Sequence, residues 1–117
     1  MPYTSVFIHY VWSTRYRKPV LSAYYRQHLF DHIRATARRK GIYLDKINGH
    51  NDHVHCLICL QPSQSMSDIA QQLKGESAYW FNRQREFQPV RLEWQKTYFA
   101  VAVGLSSLNA IRAYIDN

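Results

Sequence analysis

Hydrophobic and polar positions change period several times along this chain, and each change marks an element. Residues 4–13 (TSVFIHYVWS) are rich in β-branched and aromatic side chains, which predicts a strand. Thr14, Arg15, Tyr16, Arg17 and Lys18 form a basic, aromatic loop closed by Pro19. From Ser22 as cap, the helical spacing of Leu29, Ile33 and Ala37 predicts a helix to about Lys40, with Gly41 suited to the residue just past its end. Residues 42–49 and 53–60 read as strands separated by Asn51-Asp52, a turn short enough to imply an antiparallel hairpin. Ser65 or Ser67 can cap a second helix that carries Ile69, Leu73, Tyr79 or Trp80, and Phe81 towards about Gln84. Gly75 interrupts it at about 1 kcal/mol relative to alanine, which suggests close packing or a bend. Residues 87–95 read as an irregular connection, and residues 97–104 as a fourth strand. Ser106 or Ser107 then caps a last helix.

The order βαββαβα predicts an α+β domain, an antiparallel sheet with helices packed on it in the ferredoxin-like or RNA-recognition manner. The 117 residues suffice for one domain, residues 1–117. With 46% hydrophobic and 20% charged residues the composition is that of a folded chain rather than a disordered tail. Charge narrows the partners. Fifteen Lys and Arg stand against eight Asp and Glu, a formal +7. Such an excess favours polyanions, because each neutralised phosphate releases a condensed counterion; a solvated basic surface is the other reading. No run approaches the roughly 18 apolar residues of a membrane span, and no basic segment followed by an apolar run opens the chain as a signal peptide would. Two cysteines without an export signal fit a cytoplasmic location. Cys56 and Cys59 have a C-x-x-C spacing, but on a strand an offset of three points them to opposite faces, which favours packing over redox chemistry.

Two features carry candidate chemistry. His53 and His55 flank Val54 on a predicted strand, so the two-residue period aims both imidazoles at one face, close enough to share a cation. Val54, Cys56 and Ile58 then face the core. Two unrelated, partly buried histidines would give the same pattern. His50 lies near, on the far side of the turn, and His28 with His32 forms a helical i, i+4 pair that reads equally as metal-binding or as a solvated helix face. On the last helix Leu108, Ile111 and Ile115 form the apolar stripe at about 100° per residue, leaving Tyr114 on its flank, either a packing residue with a wet hydroxyl or a nucleophile. A phenol, whose ordinary pKa is about 10, needs a cation or base nearby before it attacks phosphorus.

Five blocks together carry a family resemblance: Trp12-Ser13-Thr14-Arg15-Tyr16-Arg17-Lys18-Pro19-Val20-Leu21, Asp52-His53-Val54-His55, Leu73-Lys74-Gly75-Glu76-Ser77, Trp94-Gln95, and Ile111-Arg112-Ala113-Tyr114-Ile115-Asp116-Asn117. In this order they resemble the HUH single-tyrosine transposases of small bacterial insertion sequences and the related REP-associated tyrosine transposases, over nearly the whole chain. The resemblance implies that His53 and His55 bind a divalent cation, Mg²⁺ or Mn²⁺. It implies that Tyr114 attacks single-stranded DNA to give a 5′-phosphotyrosine link and a free 3′-hydroxyl, and that a 3′-hydroxyl from another end then attacks the link and reseals the strand. It further implies imperfect hairpins at the element ends as substrate, and a homodimer in which one subunit's tyrosine helix can complete the other's metal site. Family members usually carry a glutamine four residues after the tyrosine as third metal ligand. That position would be 118, so the expectation is a domain lacking its C-terminal end, or a degenerate copy.

For DNA contacts the expectation is Arg15, Arg17 and Lys18 in the loop and Lys74 on the second helix, with Tyr16 or Trp80 available to stack on unpaired bases. Arg38, Arg39 and Lys40 instead suit the negative end of the first helix. The alternative function is a catalytically inactive DNA-hairpin-binding protein of the same fold; an RNA-recognition-like module, indifferent to metal, is a further rival.

Overall fold

A computed structural model describes residues 6–117. Strand β1 (Val6–Ser13) leads through a 3₁₀ turn (Arg15–Arg17) to helix α1 (Ala23–Arg39); strands β2 (Tyr43–His50) and β3 (His53–Leu60) form the hairpin. Helix α2 (Met66–Asn82), strand β4 (Phe99–Val103) and helix α3 (Leu108–Asp116) complete the order βαββαβα. The predicted first-strand positions Thr4 and Ser5 lie outside the described residues. All strand pairs are antiparallel, in the order β2-β3-β1-β4, so β1 and β3 are central.

Two faces of the sheet have different roles. One packs under α1 and α2: Ile8, Tyr10 and Trp12 from β1 and Val54, Cys56 and Ile58 from β3 join Leu29, Ile33, Leu73 and Phe81 in a single core. The other face carries a smaller cluster, Leu57 and Val103 against Leu108 and Ile115 of α3. Tyr10 reaches from the sheet to α2, donating its hydroxyl to the Met66 carbonyl at 2.8 Å. Both cysteines are free, Cys56 buried and Cys59 half-buried, on opposite faces of β3.

The helix ends follow the sequence in part. Ser65 accepts a hydrogen bond from the Asp68 amide and caps α2, whereas Ser22 and Ser107 stand at cap positions without a side-chain bond. Gly41 takes a positive φ of 71° just past α1, the conformation that favours glycine there. Gly75 does not break α2 and meets no close neighbour; a Cβ would point into open space, so the close packing expected of it is absent. The connection after α2 is far from loose. Phe87 and Leu92 are buried, and Asn82 pairs with Leu92 through both its amide nitrogen and its oxygen. Trp94 packs edge-on to Trp12 and donates its indole N–H to Ser77.

Phe81 is fully buried on the α2 face, whereas Tyr79 two residues earlier is exposed. Phe81→Ala is expected to cost about 3–5 kcal/mol in a urea unfolding titration, against roughly 0.5 kcal/mol or less for Tyr79→Ala.

Candidate metal and tyrosine site

The alternation along β3 separates the core from the site. Val54, Cys56 and Ile58 are wholly buried, so His53 and His55 face the α3 side, with ring centroids 5.0 Å apart. The hairpin is tight at this point. A Cβ on Gly49 would run into the His53 carbonyl oxygen, so glycine is required for β2 to approach β3 here. His50 is the last residue of β2 and pairs directly with His53 across the hairpin, their rings 6.4 Å apart.

A residue that sequence reasoning passed over completes the cluster. His9 on β1 pairs with Leu57, which makes it the diagonal neighbour of His55 on the same face. Its Nε2 lies 2.9 Å from His55 Nδ1, the two rings nearly parallel. The available signal was a polar residue within an apolar strand. Locating its partner, however, requires the β1–β3 register.

Helix α3 brings the phenol. Leu108 and Ile115 hold the helix on Leu57 and Val103, and polar ties fix its end over β2. Arg112 donates two hydrogen bonds to Asp45, at 2.8 and 3.1 Å; Asn48 donates to the Ile115 carbonyl, and Lys46 pairs with Asp116 at 3.0 Å. Tyr114 lies on the flank of the helix and is 62% exposed. Its ring nevertheless stands 5.6 Å from that of His55 and 6.2 Å from that of His9, edge-on to both. The phenol and the paired imidazoles therefore converge within one subunit.

Burial disfavours the charged form of the imidazoles on the inner side of this cluster. Burial, reinforced by His53 and His9, pushes His55 down to about 4, and burial also lowers His9. His53 Nδ1 donates to Asp52 at 2.8 Å, and the second Asp52 oxygen accepts from Arg17 Nε at 2.9 Å. These two bonds, the histidine's first, hold the Asp52 carboxyl below the usual carboxylate range. With Nδ1 of each histidine engaged, Nε2 of His53 and of His55 has no hydrogen-bond partner among the described residues. Two imidazoles with positions left for water and phosphate suit a divalent cation in an open site. Among the described residues, no group of three or more His, Cys, Asp or Glu side chains is assembled around a metal position.

The expected DNA-contacting residues separate into two places. Tyr16 and Arg17 both take positive φ, 59° and 54°, in the turn after β1. Arg15 pairs with Glu93 at 2.6 Å while its guanidinium stands over the Tyr16 ring, and Arg17 is held by Asp52. Tyr16 is largely exposed, as is Lys18. Arg91 joins Arg15 and Lys18 around the same cleft, a contribution the sequence patterns did not single out. Lys74 lies elsewhere. Its ammonium donates to the carbonyls of Gln95, Lys96 and Thr97, at 2.8, 3.2 and 3.5 Å, and sits over the Tyr98 ring, so its three N–H groups brace the approach to β4. His28 and His32 do not form a pair. His32 bonds to Glu76 at 2.6 Å and stacks on Trp80, whereas His28 packs against Tyr24 and Phe87.

Known proteins match this antiparallel α+β fold. The chain belongs to the IS200-like transposase family, whose model, "Transposase IS200 like", matches residues 2–117. It is similar to the ISDra2 transposase TnpA of Deinococcus radiodurans, with 28% identity over 116 residues, covering 93% of this chain and 81% of that protein. A crystal structure of a Deinococcus radiodurans R1 protein assigned as a transposase superposes with a TM-score of 0.77 at 26% identity, covering 99% of this chain and 92% of the other. The fold is shared with a REP-associated tyrosine transposase solved bound to a REP hairpin, at a TM-score of 0.68 and 17% identity. That likeness covers 95% of this chain and 64% of the neighbour's length. Among the described residues no helix is long and apolar enough to cross a membrane.

The Lys74 geometry has a measurable consequence. Lys74→Met removes charge-assisted bonds to three carbonyls and is expected to cost about 1–3 kcal/mol of stability, whereas Lys40→Met on the surface stays within about 0.5 kcal/mol; thermal unfolding of the two variants checks the difference.

Proposed function

We propose that this protein is a divalent-metal-dependent DNA transposase that cuts and rejoins single strands at hairpin-bearing ends. The observation that carries the reading is the Tyr114 ring beside His55, on the sheet face that His53 shares. Mg²⁺ or Mn²⁺ held by those two histidines would polarise the scissile phosphate. The Tyr114 oxygen bonds to phosphorus as its proton passes to solvent, the bond to the 3′ oxygen breaks, and that oxygen takes up a proton as a free 3′-hydroxyl. The 5′-phosphotyrosine link keeps the energy of the broken ester, so a second 3′-hydroxyl can displace Tyr114 without ATP. Arg15, Arg17 and Lys18, with Arg91 beside them, provide the basic surface for the strand, and Tyr16 offers an exposed ring for an unpaired base. The braced position of Lys74 makes it a support for the neighbouring connection first and a phosphate contact second.

The working unit in this reading is a homodimer. Strand β4 is an edge strand whose outer side pairs with no other strand among the described residues, and Phe99 and Val101 on it are exposed at 54% and 44%. Unprotected apolar edges of this kind favour pairing with a second chain. Sedimentation is expected to give a dimer for the unmodified protein and a monomer after Phe99→Lys with Val101→Lys.

The chemistry is tested by mixing the protein with hairpin-bearing single-stranded DNA and Mn²⁺. A covalent protein–DNA adduct should form, vanish in Tyr114→Phe, and be suppressed by EDTA. Salt-sensitive hairpin binding that persists in Tyr114→Phe, with no adduct from the unmodified chain under any metal, would instead establish the catalytically inactive hairpin-binding protein.

A further inference from the structure

Neither the motif blocks nor the DNA-binding reading gives His9 a task, yet its imidazole is buried on the site face and held against His55. Two imidazole nitrogens 2.9 Å apart are joined by one proton, so one donates and the other accepts. If His9 Nε2 donated, His55 would carry its own proton on Nε2 and offer no lone pair outward. If His55 Nδ1 donates, its Nε2 is free to face a cation. We propose that His9 is a positioning residue that accepts a hydrogen bond from His55 Nδ1 and so fixes His55 in its metal-ready tautomer and orientation. This rests on the metal-binding role of His55 proposed above.

Three observations support the direction of that bond. Asp52 performs the same service for His53, accepting from its Nδ1, so both histidines of the pair would present Nε2 on the same face. The β1–β3 register makes His9 and His55 diagonal neighbours, which fixes their contact by backbone pairing rather than by flexible loops. The His9 ring is also buried and meets Phe99 and Tyr114 edge-on, contacts that favour its orientation against His55. Partners behind a metal-binding imidazole set its tautomer and raise its basicity, and losing one commonly weakens metal binding about 10–100-fold.

The test uses the full chain and Mn²⁺ alone. Long-range proton–nitrogen NMR of the metal-free protein should show His55 protonated on Nδ1; protonation on Nε2 would overturn the proposal. Mn²⁺ affinity, read by electron paramagnetic resonance of the free ion, should fall about 10–100-fold in His9→Phe, which preserves a ring but removes the acceptor. His9→Gln, whose amide oxygen can accept the same bond, should recover most of that loss. Equal affinity in His9→Phe, with spectra showing it folded, would refute the role. Failure of His9→Gln to restore binding, in a protein equally well folded, would make His9 a direct ligand or a packing residue instead. If the unmodified protein bound no Mn²⁺, the metal reading of His53 and His55 would fall, and the NMR tautomer would still decide whether His9 accepts from His55.

Discussion

Val54, Cys56 and Ile58 are withdrawn from solvent against α1 and α2, and because side chains alternate across a strand, that burial turns His53 and His55 towards α3. A slip of one residue in the pairing of β3 would reverse every one of these assignments. It would expose buried apolar side chains worth roughly 1.5–3 kcal/mol each and bury two imidazoles in their place. The hydrogen bonds made by the imidazoles are individually worth only about 1 kcal/mol, so the core dictates the register and the site inherits it. The geometry needed for chemistry is therefore assembled by packing on the opposite face, before any ligand contributes.

The phenol is placed by a different balance. A nine-residue helix such as α3 is too short to persist alone in water. It is held by Leu108 and Ile115 underneath and by Arg112, Asn48 and Lys46 along the β2 side. These ties fix the axis and rotation of the helix, and Tyr114, one residue before the buried Ile115, falls on the flank beside His55. An exposed tyrosine thus gains a defined position without being buried, which leaves room for a bulky polymer to approach its hydroxyl.

The order of elements, the hairpin and the common face of His53 and His55 were legible because each depends on local period or on a short turn. What escaped depends on chain segments far apart in sequence. His9 reads as one polar residue in an apolar strand until β1 is set against β3 in register. His50 reads as beyond a turn, yet the ladder extends one residue further than the pattern suggests and pairs it with His53. Lys74 has the helix position of a free surface cation, and only folding shows three carbonyls from residues 95–97 converging on it. Residues 87–95 lack any period, but Leu92 and Trp94 are anchored by Asn82 and Ser77 of α2, contacts no periodicity can reveal. Gly75 misled in the other direction, since a continuous helix tolerates a glycine with no neighbour to accommodate.

The same nonlocal view changes what the excess of basic residues means. Arg15 and Arg17 are already neutralised in the free protein, by Glu93 and Asp52. Exposed pairs of this kind are worth no more than about 1 kcal/mol, so a phosphate can replace either carboxylate at small cost. The exchange at Arg17 differs from that at Arg15, because Asp52 also holds His53. A strand that drew Arg17 away would leave the carboxylate bound to the imidazole alone, and its remaining negative charge would favour His53 keeping its proton on Nδ1. In the proposed reading, engagement of the basic turn and orientation of the His53 imidazole would therefore reinforce one another rather than compete, as a site joining strand binding to phosphoryl transfer requires.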